Sequence, residues 1–324
     1  MPKHLAAVFP SSWPNGKSLP YMLFVPNDVD INTNLVVGNF TTACNFNNYN
    51  DTINSYIEIV KSGKNIEELL KKLCSELRCP ILFPIIPRFK GFYSTFLSSD
   101  VYNNNFEYLN EYINNGGANI SVDDEKKYLT DIHSQVYNMI QNCNRFLGKE
   151  EMDKVIMTGY SAAGHFANNF SYLHKDIVSM VIAGGTDGIL TLPIIEMLTS
   201  PLGVSDDAKL FLEEYSKIKH FVYIGSKDTG DCAELDPKNS KKAKHRECFT
   251  DEQAVFINKL FNKCATTLDR LREMVKIYQS FGIEVDLRDY DGNHNDLGLN
   301  PNISSQIAED VCEFVKRNMA KTLK

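Results

Sequence analysis

The sequence has no long apolar run, and none of its 324 residues fall in a stretch that approaches the length of a membrane span. The first fourteen residues hold only a short apolar run, Leu5 to Phe9, which is followed by Pro10. A run of that length is too short for a secretory signal peptide. We therefore expect a cytoplasmic protein without a membrane-spanning segment.

Positive charge is not in excess. Lysine and arginine number 34 against 41 aspartate and glutamate residues, so the formal net charge is −7 at pH 7. This balance argues against nucleic acid as a general partner. The sequence also lacks the Gly-x-Gly-x-x-Gly pattern, and its Gly16-Lys17-Ser18 does not complete the Gly-x-x-x-x-Gly-Lys-Ser/Thr pattern of a phosphate-binding loop, because Ser11 stands where the first glycine would be. Together these absences disfavour a nucleotide-binding protein.

The eight cysteines form no Cys-x-x-Cys pair, and the sequence predicts neither a metal centre nor an organic cofactor. Several cysteines fall on the buried faces of predicted elements, where a free cysteine behaves as a small hydrophobic side chain. A reduced, cytoplasmic protein is the plainer interpretation. One pair, Cys232 and Cys248, brackets a polar insertion, and whether these two are bridged stays open.

Strands and helices alternate along almost the whole chain. The strand-like segments are 19–26, 35–38, 80–87, 155–158, 180–183, 220–225 and 284–290, and the helical stripes are 65–77, 125–147, 251–282 and 304–320. Such alternation predicts an α/β protein with a doubly wound, mostly parallel sheet flanked by helices. Because Pro26 ends the first segment, that strand is expected at the outside of the sheet. No repeat or linker appears, so we expect one domain over residues 1–324.

Two segments are longer than plain connections require. Residues 91–124 are rich in asparagine and aromatic residues and lie between a strand and a helix. They form either a polar excursion over the surface or one wall of a substrate pocket. Residues 188–219, which carry Pro193 and Pro201, are mostly helical in pattern. We expect them to form a small cap over the site.

The most specific stretch is Gly159-Tyr160-Ser161-Ala162-Ala163-Gly164, which follows a four-residue strand and precedes a helical segment. A serine at a sharp strand-to-helix turn needs small neighbours, because bulk two residues away would clash where the backbone reverses. Such a turn strains the serine, exposes its hydroxyl and aims a helix N-terminus at developing negative charge. The alternative is a glycine-rich turn with a bystander serine.

This stretch resembles the nucleophile elbow of the α/β-hydrolase family, Gly-x-Ser-x-Gly, except that Ala163 stands where the last glycine usually sits. The resemblance implies an acid and then a histidine at later strand ends. Asp228 follows the strand at 220–225, and His294 follows the strand at 284–290. We therefore expect Ser161 as nucleophile, His294 as general base and Asp228 as the acid. Asp187, at the end of the preceding strand, is the alternative acid.

The same resemblance implies an oxyanion hole made of two backbone N–H groups. One should belong to Ala162, directly after the nucleophile, and the other to the loop after the strand at 35–38, where we favour Phe40. The substrate pocket is expected to include a set of aromatic side chains: Tyr102, Phe106, Tyr108 and Tyr160.

Within the family, the opening Leu-Pro-Tyr-Met-Leu-Phe-Val-Pro and the elbow are most similar to carboxylesterases, feruloyl esterases and polyester-depolymerase-like enzymes. The resemblance implies a serine hydrolase that cleaves small-molecule carboxylic esters through an acyl-enzyme. Two alternatives stay open: a peptidase or amidase of the same fold, and a binding protein of that fold that has lost catalysis. The identity of the substrate and the oligomeric state also stay open.

Overall fold

The computed structural model describes residues 4–9, 19–30, 33–38, 68–86, 132–150, 152–186, 208–228 and 251–322. The strands in these ranges are β1 (His4–Phe9), β2 (Tyr21–Pro26), β3 (Leu35–Gly38), β4 (Ile81–Pro84), β5 (Val155–Tyr160), β6 (Val178–Gly184), β7 (Lys219–Gly225) and β8 (Val285–Tyr290). They form one sheet in the order β1-β2-β4-β3-β5-β6-β7-β8. Strand β2 runs antiparallel to β1 and β4, and the remaining neighbours are parallel. The predicted doubly wound, mostly parallel sheet is confirmed.

The helices in the same ranges lie on both sides of this sheet. They are α1 (Glu68–Glu76), α2 (Ile132–Phe146), α3 (Ala162–Leu173), α4 (Ala208–Tyr215), α5 (Asp251–Phe261), α6 (Thr267–Ser280), α7 (Asp296–Leu299) and α8 (Pro301–Thr322). None of these helices is both long and apolar enough to cross a membrane.

The core is divided between the two faces of the sheet. Because successive strand side chains point to opposite faces, Leu35 and Val37 join one apolar cluster and Val36 joins the other. The first cluster is completed by helices α2 to α6, and the second by α1, α7 and α8. Strands β3 to β7 are thus covered on both faces, as parallel sheets require, and this rigid layer holds the strand ends in place.

The prediction that residues 19–26 form an outer strand was wrong. Strand β2 lies inside the sheet, because β1 pairs along its other side from Phe9 opposite Tyr21 to His4 opposite Pro26. Proline excludes a neighbouring strand only where its missing N–H would interrupt the ladder. Pro26 is the last residue of β2, so its missing N–H falls at the end of the ladder.

The single helix predicted over 251–282 is two helices. Helix α5 ends at Phe261, and α6 begins after the N-cap residue Thr266. The hydroxyl of Thr266 accepts a hydrogen bond from the Asp269 backbone N–H at 3.1 Å, and the Asp269 carboxylate accepts one from the Thr266 N–H at 3.2 Å. This reciprocal capping box starts a new helix. The Thr-x-x-Asp signal is present in the sequence, but the apolar stripe continues across it and conceals the break.

One end of the predicted cap belongs to the core. Helix α4 lies within residues 188–219, yet its Phe211 and Tyr215 are buried and contact the ring of Tyr172 in α3. An amphipathic pattern does not distinguish a cap helix from a core helix, because both bury one face. The rest of the predicted cap, residues 188–207, and the whole of 91–124 lie outside the described residues.

The buried His220 and the half-buried His174 make stability depend on pH. Burial lowers the pKa of His174 to about 4, with His133 and Lys175 adding to the effect, and lowers the pKa of His220 to about 3. Both folded values lie below the ordinary value near 6.5, so the unfolded chain takes up these protons first and stability falls as pH drops below 6.5. Each histidine should contribute roughly 3 kcal/mol to the loss between pH 7 and pH 4.

The check is urea unfolding at pH 7 and pH 4 for the wild-type protein and a His220→Leu variant, which keeps apolar volume but cannot take a proton. The variant should lose roughly 3 kcal/mol less on acidification. Equal losses in the two proteins would contradict a neutral, buried His220.

Candidate active site

Ser161 stands at a sharp turn between β5 and α3. Its backbone has φ 55° and ψ −125°, a left-handed conformation that is unusual for a residue other than glycine. The Ser161 N–H donates to the carbonyl of Gly184 at 2.7 Å, and the Ser161 carbonyl accepts from the His165 N–H at 3.1 Å. The strain predicted from the sequence is therefore present, and hydrogen bonds on both sides of the serine hold it.

The turn is possible because its neighbours are small. A Cβ added to Gly159 would lie 2.2 Å from the Ala163 carbonyl oxygen, and one added to Gly164 would lie 2.7 Å from Cγ2 of Thr186. Ala163 itself is fully buried, so a single methyl group fits at the place where the family pattern has its last glycine. The departure from that pattern is thus accommodated at 163, whereas position 159 has no room for a side chain.

Asp228 and His294 are paired at the carboxyl ends of β7 and β8. The Nδ1 atom of His294 lies 2.8 Å from Oδ2 of Asp228, and the Asp228 side chain is only 2% exposed, compared with 30% for His294. An ionised carboxylate can only accept, so Nδ1 of His294 donates. A neutral ring then keeps its other nitrogen, Nε2, as an acceptor.

The turns that carry these two residues are tied together through their backbones. Ser226 N–H donates to the Tyr290 carbonyl at 2.8 Å, and Lys227 N–H donates to the Gly292 carbonyl at 2.9 Å. A Cβ at Gly225 would lie 2.3 Å from the Gly292 oxygen, so glycine permits this close approach. The Asp228–His294 pair therefore depends on main-chain contacts as well as on its own hydrogen bond.

The loop of His294 is further fixed by its own polar residues. The Asp296 carboxylate accepts from the Asn293 N–H at 2.8 Å, and the Asn293 side-chain oxygen accepts from the Asn295 N–H at 2.9 Å. Asparagine and aspartate commonly stabilise turns in this way. The loop is thus braced on either side of the histidine.

Tyr160, a predicted pocket residue, contacts the same loop. Its hydroxyl donates a hydrogen bond to the backbone carbonyl of His294, and its ring centroid lies 5.0 Å from that of the His294 imidazole. The Tyr160 ring also stacks on the Tyr223 ring, with centroids 6.0 Å apart. The side chain thus connects the strand of Ser161 to the loop of His294.

The end of β6 contacts both the serine turn and the histidine. Gly184 accepts the hydrogen bond from Ser161, and a Cβ on its neighbour Gly185 would lie 2.9 Å from Cε1 of His294. The structure therefore brings Ser161, Asp228 and His294 to the carboxyl edge of neighbouring strands. Sequence analysis did not assign a role to the two glycines, although consecutive glycines at a strand end are a signal of close approach.

Of the remaining predicted site residues, the structure describes only Ala162. Ala162 is the first residue of α3, where backbone N–H groups have no partner within the helix. Phe40, Tyr102, Phe106, Tyr108 and Asp187 lie outside the described residues, as do Cys232 and Cys248. Across the described ranges, no three His, Cys, Asp or Glu side chains are grouped to hold a metal ion.

No family model and no curated protein matches the sequence. Solved structures do match: poly(aspartic acid) hydrolase-1 from Sphingomonas sp. KT-1 is 13% identical, with a TM-score of 0.51 over 94% of this chain and 98% of that chain. An S-formylglutathione hydrolase from Agrobacterium tumefaciens is 12% identical, with a TM-score of 0.51 over 97% and 95%. The chain has the α/β-hydrolase fold. In open α/β sheets, sites form at the carboxyl ends of the strands, and the α/β-hydrolase fold here places Ser161, Asp228 and His294 at that edge.

Proposed function

We propose that the protein is a serine hydrolase that cleaves carboxylic esters of small molecules, with Ser161 as nucleophile, His294 as general base and Asp228 as the acid. The observation that carries the proposal is the combination of a strained serine, φ 55°, with a buried carboxylate bonded to a histidine on nearby strand ends. Strain at a residue other than glycine is typical of functional sites, and the acid–base pair is what a serine needs to become nucleophilic.

In the proposed reaction, Nε2 of His294 takes the hydroxyl proton of Ser161 while Oγ attacks the acyl carbon. The imidazolium that forms is stabilised by the Asp228 carboxylate on Nδ1 and then gives its proton to the leaving alcohol. Water, deprotonated by His294, attacks the acyl-enzyme and releases the acid with Ser161 restored. Side chains supply every proton transfer, so the proposed steps need no cofactor.

The oxyanion of the tetrahedral intermediate is proposed to bind at the start of α3. The Ala162 N–H points from a helix N-terminus, where helix dipoles favour negative charge. The second donor is proposed to be the Phe40 N–H, which follows β3 in the chain. The two similar structures described above are hydrolases by name, which agrees with hydrolysis but leaves the substrate open.

The test is labelling of the purified protein with a fluorophosphonate probe, which reacts with activated serines. The wild-type protein should be labelled at Ser161, Ser161→Ala should not be labelled, and His294→Ala should react at least about 10³-fold more slowly. Ser216→Ala, which removes an exposed hydroxyl that donates to Glu213, is the control and should react at the wild-type rate.

Two results would contradict the proposal. A folded wild-type protein that is not labelled would favour a binding protein of this fold, and labelling that maps to a different serine would overturn the assignment of Ser161.

Ester specificity is tested with matched p-nitrophenyl esters and p-nitroanilides. A kcat/KM for the anilide that equals or exceeds the ester value would favour the amidase alternative.

A further inference from the structure

The residue next to the proposed nucleophile contacts the backbone of the proposed base. Tyr160 is the last residue of β5, and its hydroxyl donates to the carbonyl oxygen of His294, 134 positions away in the chain. Strand β5 is paired with β3 as far as Thr158 and with β6 through Tyr160, so the sheet holds its end in place. The hydrogen bond therefore joins a fixed point of the sheet to a loop.

The ring of Tyr160 belongs to a row of aromatic side chains along the same sheet edge. The ring planes of Tyr160 and His294 are inclined by 37°, and those of Tyr160 and Tyr223 by 23°. The Tyr223 ring in turn meets the Tyr290 ring edge to face, with centroids 6.5 Å apart. The imidazole of His294 is the last ring in this row, so its face is packed while Nδ1 is bonded to Asp228.

Two glycines leave the space that the row occupies. A Cβ at Gly184 would lie 2.0 Å from Cζ of Tyr223, and one at Gly185 would lie 2.8 Å from Cζ of Tyr160. Gly185 also has a positive φ of 60°, which disfavours any other residue. The rings thus lie directly against main chain, and neither Tyr160 nor His294 can move toward β6.

We propose that Tyr160 is a positioning residue that aligns His294 with Ser161, and not a wall of the substrate pocket. Asp228 orients the imidazole through one ring nitrogen, whereas Tyr160 fixes the backbone from which the ring extends. Both restraints are needed because general-base catalysis depends on the distance and angle between the base and the hydroxyl. This inference rests on the proposed function, since it concerns the same serine and histidine.

Removing only the hydroxyl gives the sharpest test. In Tyr160→Phe the ring row remains, but the His294 carbonyl loses its donor and the loop gains freedom. The fluorophosphonate labelling rate on its high-pH plateau should fall about tenfold, and kcat for a p-nitrophenyl ester should fall with it. KM should stay within about twofold, because the hydroxyl is bonded to the His294 carbonyl and, in this proposal, has no part in substrate binding.

A matched control is Tyr290→Phe. Tyr290 belongs to the same row of rings, but its hydroxyl donates to Asp310 of α8 at 2.7 Å and not to the histidine loop. The labelling rate of Tyr290→Phe should stay within about twofold of wild type. This control separates the loss of the contact with His294 from the general effect of removing a tyrosine hydroxyl. Circular dichroism and thermal unfolding report whether each variant is folded.

The outcomes distinguish this inference from the function on which it rests. Absence of labelling in the folded wild-type protein would overturn both. Labelling of wild type and Tyr160→Phe at equal plateau rates would overturn the positioning role alone. If Tyr160→Phe instead raised KM and left kcat unchanged, the positioning role would also be overturned, and Tyr160 would be assigned to the substrate pocket.

A second variant covers the case in which Tyr160→Phe does not fold. Tyr160→Met keeps an apolar side chain of similar length but has neither ring nor hydroxyl. Its fluorophosphonate labelling rate at high pH should therefore fall by about tenfold or more. A folded Met variant that reacts at the wild-type rate would also overturn the inference.

Discussion

Replacing Asp228 by asparagine is expected to slow formation of the proposed acyl-enzyme by on the order of 10³- to 10⁴-fold, with little change in the fold. Oδ2 of Asp228 lies 2.8 Å from Nδ1 of His294. Because the carboxylate can only accept a hydrogen bond, it keeps the proton of the ring on Nδ1. An asparagine amide can donate instead, which favours the ring tautomer with its proton on Nε2. That tautomer cannot accept the serine proton, and it gains no stabilisation when the ring becomes charged.

The measurement is the pre-steady-state rate of p-nitrophenol release, beside thermal unfolding. Asp291→Asn is the matched control: Asp291 lies near the same strand ends, is 81% exposed and forms an ion pair with Lys227, so its loss should change the rate less than twofold. Asp187→Asn tests the alternative acid. If that variant lost activity while Asp228→Asn kept it, the acid would be Asp187.

A Gly159→Ala variant is expected to lose more than about 4 kcal/mol of unfolding free energy or to fail to fold. The new Cβ would lie 2.2 Å from the Ala163 carbonyl oxygen and 2.7 Å from the Gly164 nitrogen. Both are main-chain atoms of the first turn of α3, so no flexible side chain can move aside. Relief of the clash would require the serine turn itself to open.

The measurement is the yield of soluble protein followed by urea unfolding. Gly298→Ala serves as the control, because a Cβ there meets nothing within 4 Å and helix α7 gains a better helix former. The control should unfold within about 0.5 kcal/mol of wild type. Wild-type stability in Gly159→Ala would show that the turn is more adaptable than its geometry implies.

Features that depend on a few consecutive residues were predictable from the sequence. The turn at Ser161 follows from small residues in fixed positions between a strand and a helix, and the sheet follows from the alternation of elements. Asp228 and His294 each follow a strand, which is where the resemblance to the α/β-hydrolase family implies an acid and then a histidine, and the carboxyl ends of parallel strands share one edge. The resemblance and the positions of the strands in the sequence together therefore predict that these two residues lie close to each other.

Features that depend on which surface a segment meets were not predictable. Helix α4 has the amphipathic pattern of either a cap or a core helix, and only its contact with Tyr172 decides between them. The hydrogen bond from Tyr160 to His294 joins residues far apart in the chain, with no local signal for the partner. A tyrosine beside Ser161 is thus equally compatible with a substrate contact or with a structural one.

The paired glycines at the end of β6 determine how this protein can be re-engineered. Any residue other than glycine at position 184 places its Cβ 2.0 Å from Cζ of Tyr223, and at position 185 within 3 Å of both Tyr160 and His294. In a combinatorial library aimed at new substrates, variation at these two positions would mostly yield clones with a displaced histidine. Libraries that hold residues 160, 184, 185 and 223 constant should therefore contain a larger share of active members.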